Sequence, residues 1–288
     1  MSATRVEQLA REVAVRREPR KRWTRFILPS YSALFMFYLA FPILVIVLFS
    51  FNDSDVGFGT APRVKTTWFG FTTAWYGRVF EIPDLTEALQ HSLLIAFTSS
   101  LAAAGLGALI GLALARYRYR GKASTDFVVF LGISSPEVVL GAALALYFVT
   151  LGVARGLSTL FVSHVMFSIP FVAVTVRARA AGLDRSLEDA AMDLGAGPIV
   201  TFVKVTLPLI FPGILAGWLL AFALSMDDFV ISNFVQGPAT MFPTWVYGAT
   251  KVGIPPHVFV FATFIFLGGL TLAGIYALTR LRATKASV

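Results

Sequence analysis

Apolar runs long enough to cross a lipid bilayer recur through the whole of this 288-residue sequence. About 20 apolar residues in a helix span the roughly 30 Å hydrocarbon core. Because 57% of the residues are hydrophobic and only 14% are charged, the chain has more apolar surface than a soluble domain of its size can bury. We predict an all-α polytopic membrane protein with six transmembrane helices, at 26–51, 92–115, 127–154, 156–176, 205–235 and 257–279.

Lysine and arginine residues are distributed unevenly between the predicted connections. The N-terminal tail, the loops at 116–122 and 177–204 and the C-terminal residues from 280 onward hold 19 of the 24. Cytoplasmic connections carry the excess of basic residues in membrane proteins. The sequence therefore predicts a plasma-membrane protein with both termini in the cytoplasm. Its basic tail is 1–25, its main extracytoplasmic connection 52–91 and its C-terminal tail 281–288.

Several classes of site are excluded by the composition and the motifs. The chain has no cysteine and its three histidines are far apart, so no metal site is predicted. The one Gly-Lys pair, Gly121-Lys122, is followed by alanine and lacks the pattern of a phosphate-binding loop. The sequence also lacks a nucleophile elbow, an HExxH zinc motif and a Rossmann fingerprint. Neither a catalytic residue nor a cofactor is therefore predicted. The net charge of +8 does not indicate nucleic acid, because the basic residues cluster at the ends of apolar runs.

The stretch at 188–208 is the longest polar interruption in the second half of the sequence. Acidic residues lie near its start, and Gly195, Gly197 and Pro198 break it in the middle. We predict two short helices around a turn, the first capped by Ser186, which together form an exposed knob suited to a groove on a partner protein. The alternative is a plain connection at the membrane interface. The predicted anchors of the knob are Ala190, Ala191, Met192 and Leu194.

This stretch resembles the EAA loop of binding-protein-dependent ABC importer permeases. The family pattern is E-A-A, three residues, glycine, nine residues and I-x-L-P. Asp189-Ala190-Ala191 takes the first place, Gly195 the second and Val205-Thr206-Leu207-Pro208 the third, with aspartate for glutamate and valine for isoleucine as departures. Glu188 is the alternative source of the acid. The resemblance covers roughly residues 88–280.

The resemblance implies a type I importer fold with a cytoplasmic coupling helix that docks on an ATP-binding subunit. It also implies the partners: two ABC ATPase subunits, a homologous permease subunit and an extracytoplasmic substrate-binding protein. ATP hydrolysis would belong to the ATPase subunits, so the chain itself is not expected to be an enzyme. The docking residues implied are Asp189, Ala190, Ala191, Met192, Leu194, Gly195 and Pro208.

Three further stretches, at 134–139, 183–191 and 218–230, are similar to the polyamine (putrescine and spermidine) permeases of the second-subunit type. Glu137, Asp227 and Asp228 lie in apolar context, with no lysine or arginine in the spans to neutralise them. Ionised residues at such depth usually mark a pathway or a pair. We therefore predict these acids, together with the aromatic Trp245, as candidates for the path of a small cation.

Alternatives to this interpretation remain at the level of the sequence. The two aspartates could instead cap the segment that follows them or meet lipid headgroups, and His164 is expected to be a hydrogen-bonded packing residue. A self-sufficient secondary transporter or ion channel would use the same acids as proton or ion sites. A membrane enzyme is disfavoured because no nucleophile, metal set or acid/base pair has a suitable spacing.

Overall fold

The computed structural model describes residues 24–53 and 68–286, and every regular element in these residues is a helix. The predicted basic tail, apart from its last two residues, lies outside the described residues, as do 54–67 of the predicted connection and the last two residues of the predicted C-terminal tail. The helices are α1 (Thr24–Phe49), α2 (Ala74–Gly77), α3 (Pro83–Arg116), α4 (Lys122–Ser134), α5 (Glu137–Thr150), α6 (Leu157–Ala181), α7 (Ser186–Asp193), α8 (Pro198–Thr201), α9 (Leu207–Asp227), α10 (Val230–Val235), α11 (Phe242–Val252) and α12 (Pro256–Ala286), with a π-helical turn at Phe202–Thr206 between α8 and α9.

Among the described residues, four helical stretches are long and apolar enough to cross a membrane: Phe26–Phe49, Pro83–Arg116, Leu157–Ala181 and Pro198–Asp227. Helices α4 and α5 meet the same test together but bend by 106° at the break between them. Helix α12 is apolar over Pro256–Thr271. These helices are consistent with the six predicted runs, although α12 continues past the predicted boundary at 280.

The helix predicted at 127–154 is broken into α4 and α5. Ser135 and Pro136 separate α4 from α5. Proline has no amide hydrogen to donate and disfavours the helical conformation of the residue before it, so the helix ends here. The second helix predicted within 188–208 begins at Pro198 as expected, but it is not short, because α8 continues through the π turn into the 30-residue stretch that ends at Asp227.

The chain divides into two compact units. The first is Met1–Asp55, Val64–Val79 and Pro256–Val288, and the second is Val56–Arg63 and Phe80–Pro255. The second unit contains α3 to α11. It therefore contains every residue that the sequence predicts to be functional.

In the first unit, the short helix α2 fixes the chain that follows α1. The Trp75 indole N–H donates to the carbonyl oxygen of Asn52 at 3.0 Å, and the hydroxyls of Ser50 and Tyr76 are 2.7 Å apart. The Phe51 ring stacks on Tyr76 with 5.1 Å between centroids. Aromatic residues that pair an apolar body with a polar tip suit the end of an apolar helix in this way.

In the second unit, α3 and α6 run side by side in the same direction. Ile95, early in α3, shares a buried cluster with Leu160, early in α6. Leu112, late in α3, shares another with Ala180, late in α6. The two ends of this helix pair are named after residues. The Arg116 end is the end at which α3 stops, and the Leu157 end is the end at which α6 starts. Helix α9 packs against both but runs from the Arg116 end to the Leu157 end.

The bent pair α4–α5 carries the chain from the Arg116 end back to the Leu157 end. Gly132 of α4 faces Pro170 in the middle of α6. Leu144 and Phe148 of α5 belong to the same buried cluster as Leu160. A pair that returned to the end it came from would make α6 antiparallel to α3, which the contacts between those helices exclude. The pair is therefore one broken span.

Glycines allow α3 and α6 to approach closely, as small residues do in membrane helices. A Cβ on Gly107 would lie 2.7 Å from the Cβ of Val172, and one on Gly111 would overlap the carbonyl oxygen of Ala173. Gly105 of the same helix has open space around it. The two contact glycines lie four residues apart, on one face of α3.

Candidate functional site

The predicted docking element is the exposed helix α7 followed by a tight turn at 194–197. The Gly195 amide donates to the Met192 carbonyl oxygen at 2.9 Å, and the Ala196 amide to the Ala191 carbonyl oxygen at 3.0 Å. These two bonds form a Schellman motif, which ends a helix with a residue in the left-handed conformation. Gly195 has φ +87°, where a side chain would cost about 1–2 kcal/mol. Pro198 then begins the next helical stretch, where its missing amide hydrogen is not needed.

The side chains around this turn project away from the helices. Leu194 is 90% exposed and Ile199 is 79% exposed. Large apolar side chains exposed together mark surfaces that contact another molecule. The predicted docking residues left exposed are Asp189, Ala190, Met192, Leu194, Gly195 and Pro208, whereas Ala191 is half-buried.

Asp184, and not Ser186 as predicted, supplies the side-chain acceptor at the start of α7. The helix begins at Ser186 itself, and the Ser186 amide donates to Asp184 Oδ1 at 3.0 Å. Hydrogen bonds from the amide and then the hydroxyl of Ser186 lower the pKa of the Asp184 carboxyl. The carboxylate is therefore charged at neutral pH, where it favours the positive end of the helix.

Three polar contacts tether α7 to the ends of two long helices. Glu188 Oε1 accepts a hydrogen bond from the Thr206 hydroxyl at 3.0 Å and lies 3.5 Å from Arg116 Nη2. The Arg185 guanidinium donates to the carbonyl oxygen of Arg116. The Arg116 side chain is only 8% exposed and that of Glu188 22%. These residues line a cleft of about 270 Å³ between α7 and the helix ends.

Sequence reasoning missed this tether. Arg116 stood out only as part of a basic loop that sets orientation, and Glu188 only as a possible substitute for the acid of the EAA pattern. The available signal was the position of Arg116, the last residue of α3, where a cation also favours the negative end of the helix. Its partner lies 72 residues further along, a distance that no local pattern reveals.

A π-helical turn joins the docking element to α9. The Leu207 amide donates to the Phe202 carbonyl oxygen, five residues back. Pro208 has no amide hydrogen, and in an α-helix its ring would clash with the carbonyl group of Lys204. The wider turn accommodates the proline without ending the helix. Thr206, which holds Glu188, lies within this turn.

At the Leu157 end, the Asp228 carboxylate caps α10. Its Oδ1 accepts the Ile231 amide at 3.1 Å, and its Oδ2 accepts the Ser232 amide at 2.7 Å and the Ser232 hydroxyl at 2.8 Å. Asp228 is buried, so these bonds replace those that water would make. The capping role that the sequence left open as an alternative is thus present for Asp228.

His164 extends this cap into a buried polar network. Because the Ser232 hydroxyl donates its hydrogen to Asp228, the His164 Nε2–H is the donor to Ser232 Oγ, at 3.0 Å. Nδ1 of the neutral ring then accepts from Ser225 Oγ at 2.7 Å, and Ser225 lies 3.3 Å from Ser99. The network joins α3, α6, α9 and α10. The prediction that His164 is a hydrogen-bonded packing residue is confirmed.

The other candidate path residues lie at the same end. Asp227 and Glu137 are exposed, and Glu137 is close enough to Asp227 and Asp228 for their charges to interact. Trp245 is half-buried on α11, and the first amide of that helix, of Phe242, donates to Ser92 Oγ at 2.8 Å. Glu137 thus lies within electrostatic range of the two aspartates, and Trp245 lies at the same end of the unit.

A second aromatic residue of α11, Tyr247, already contacts a cation of this chain. The ammonium group of Lys251 lies 4.5 Å from the ring centroid of Tyr247. The Tyr247 ring also packs against Phe229 at 4.7 Å. An ammonium group over an aromatic face is a favourable contact, here made within α11 itself.

Comparison with known proteins shows which family this chain resembles. The sequence matches the family described as the binding-protein-dependent transport system inner membrane component over residues 106–284. The chain belongs to this family. It is 40% identical to the spermidine/putrescine transport system permease protein PotC of Escherichia coli K12 over 236 residues, which are 82% of this chain and 86% of PotC. It is also 40% identical to the putrescine transport system permease protein PotI of the same strain over 248 residues, 83% and 85% of the two chains.

A solved structure shows the same fold. A bacterial ABC transporter involved in the import of the acidic polysaccharide alginate superposes with a TM-score of 0.64, covering 91% of this chain and 97% of that one at 16% identity. The predicted family, the helical membrane-embedded permease fold and the assignment as a transport subunit rather than an enzyme are confirmed. Family membership also implies ATPase, permease and binding-protein partners in general terms.

Proposed function

We propose that this chain is one permease subunit of an ATP-driven importer for a small polyamine such as putrescine or spermidine. The observation that carries the proposal is the 40% identity to PotC and PotI over four-fifths of the chain. The cluster of acids at the Leu157 end supports a cationic solute, because Glu137 and Asp227 are exposed there. A diammonium chain meets carboxylates with favourable charge–charge contacts.

In this proposal α7 docks on an ATPase subunit. Two copies of the ATPase, a second homologous permease and an extracytoplasmic binding protein complete the complex. The exposed Leu194 and the rigid turn at Gly195 support the docking role, since a firm helix end with apolar side chains suits a groove on a partner. The excess of basic residues supports a cytoplasmic position for α7 and both termini.

The substrate would then pass the acids at the opposite end. Glu137 and Asp227 offer exposed carboxylates, and Asp228 fixes the position of Asp227 through its cap on α10. Trp245 lies at this end as a half-buried aromatic. Delivery by the binding protein at the Leu157 end would place the cation among these side chains first.

The test is ATP-driven uptake of putrescine by the complete complex in proteoliposomes, with Leu194→Asp compared to the unchanged chain. We expect the variant to lose bound ATPase and uptake together, because a charge replaces the most exposed apolar side chain of the knob. Leu151→Asp is the matched control: it changes an exposed leucine at the Leu157 end and should leave ATPase binding intact. Uptake without ATP would contradict the proposal. ATPase binding that is unchanged in Leu194→Asp would contradict it as well.

A further inference from the structure

We propose that Glu188 and Arg116 are positioning residues for coupling, through which a displacement of α7 reaches α3 as well as α9. This inference rests on the proposed function, since it takes α7 as the helix that the ATPase moves. Neither residue is proposed to touch the ATPase or the substrate. Their role is to determine which helices move when α7 does.

The first step is the position of the Glu188 carboxylate. A single oxygen, Oε1, accepts from the Thr206 hydroxyl at 3.0 Å and lies 3.5 Å from Arg116 Nη2. Thr206 belongs to the turn that leads into α9, and Arg116 is the last residue of α3. One side chain of the docking helix therefore contacts both long helices where they begin and end.

The second step is the charge and burial of the pair. The Arg116 guanidinium is almost fully shielded from water, with 8% of the side chain exposed. Its charge also acts on the Asp184 carboxylate just before α7. A shielded ion pair resists separation more than an exposed one, because water competes less for its members. The Arg185 guanidinium adds a second bond from this loop to the Arg116 carbonyl oxygen.

The third step is a difference in stiffness between the two helices. The covalent connection from α7 to α9 passes through a π turn and the prolines Pro208 and Pro212, which are places where helices bend. Helix α3 has 34 residues and its only proline is its first, Pro83. It also packs along α6 through Gly107 and Gly111. A displacement that enters α3 at Arg116 is therefore passed to α6 with little loss.

The experiment measures putrescine uptake, ATP hydrolysis and bound ATPase in the same proteoliposomes for Glu188→Gln and for the unchanged chain. We expect Glu188→Gln to keep its bound ATPase while the putrescine moved per ATP falls about fivefold or more, the lower end of coupling between linked sites. Arg116→Gln should behave in the same way. Arg116→Lys, which retains the charge opposite Glu188, should restore at least half of the lost ratio.

A matched ion pair at the same end serves as the control. Arg177 of α6 pairs with Asp126 of α4 without touching α7. Asp126→Asn removes a carboxylate of the same kind, and the ratio should not change. If the Glu188→Gln chain fails to fold and is not recovered in the membrane, Arg116→Gln supplies the same measurement.

The outcomes separate this inference from the function on which it rests. If the unchanged complex shows no ATP-driven uptake, the proposed function fails, whatever the variants do. If it transports normally and Glu188→Gln keeps the same ratio of uptake to hydrolysis, only the positioning role fails. Loss of bound ATPase in Glu188→Gln would also overturn it, because Glu188 would then be a docking residue.

Discussion

Two adjacent aspartates end the long helix α9 and have different surroundings. Asp227 is exposed, whereas Asp228 is buried and accepts three hydrogen bonds from α10. An unpaired buried amide is costly, so the chain depends on Asp228 for the geometry of the break. Asp227 is free to meet a cation because its neighbour holds the backbone.

Asp228→Ala is expected to lower the free energy of unfolding by about 2 kcal/mol, from the lost cap and the amides of Ile231 and Ser232 left without an acceptor. Asp227→Ala should change it little, since an exposed carboxylate loses only its contact with water. Thermal unfolding of the purified chain in detergent measures both. Asp228→Asn, which keeps one acceptor oxygen, should fall between them.

The same pair separates stability from transport. Asp227→Asn should raise the KM for putrescine in the assembled complex while the melting temperature stays unchanged. Equal loss of stability from both alanine variants would show that the break does not depend on Asp228. An unchanged KM in Asp227→Asn would remove that residue from the substrate path.

The sequence could not predict which of the two aspartates caps α10. Both precede the same short segment, and the choice depends on where α9 stops, which tertiary packing decides. The contact between Glu188 and Arg116 could not be predicted for the same reason. Each residue stood out in the sequence, but their pairing depends on how α3 and α7 meet. The helix and the turn formed by Asp189 to Gly195 could be predicted, because the residues that form them are close together in the sequence.

At the scale of elements, hydropathy was sufficient to locate the long helices but not their bends. The run at 127–154 is apolar throughout apart from Glu137, so composition alone predicts one helix. Pro136 signalled a break, yet the 106° angle depends on α5 packing against α10, where Gly141 faces Phe234. Such an angle belongs to the packing of two elements and not to either alone.

The end of α7 allows a sharp test of one element. Gly195→Ala should destabilise the turn by about 1–2 kcal/mol, because Gly195 has a left-handed backbone. Hydrogen exchange of the amides in a peptide covering the turn should therefore accelerate about tenfold. Gly197→Ala is the matched control: neither glycine has any atom within 4 Å of the added Cβ, but Gly197 has φ −70°.

If both substitutions accelerate exchange equally, the left-handed backbone of Gly195 is not what limits the stability of the turn. If neither does, the Schellman motif contributes nothing to the firmness of the knob. Either result would weaken the argument that α7 presents a rigid surface to a partner.

At the scale of the whole molecule, the distribution of charge and the direction of the helices give independent information about orientation. The basic residues predict which side is cytoplasmic, from the sequence alone. The parallel packing of α3 and α6 shows that the broken span crosses from the Arg116 end to the Leu157 end. Together they predict that residues 194 and 151, which flank α6, lie on opposite sides of the membrane.

The absence of cysteine from the sequence makes this prediction directly measurable. Leu194→Cys should react with a membrane-impermeant maleimide only when the cytoplasmic face is open to the reagent. Leu151→Cys should react only from the outer face, and both positions are exposed. Labelling in right-side-out and inside-out vesicles provides the two conditions.

Labelling of both cysteines from one face would mean that α6, the long helix between the two positions, does not cross the membrane. Labelling of Leu194→Cys only from outside would reverse the predicted orientation and with it the side on which an ATPase can bind. The unchanged chain, which has no thiol, supplies the background in every vesicle preparation.

The π turn before α9 makes the length of the docking segment as important as its composition. Each residue of an α-helix advances the direction of a side chain by about 100° around the axis. Inserting or deleting one residue between Gly195 and Pro208 would therefore swing α7 around the axis of α9 and carry Glu188 away from Arg116. The number of residues in this segment is therefore fixed by the geometry. Substitutions in it are tolerated more readily than insertions or deletions.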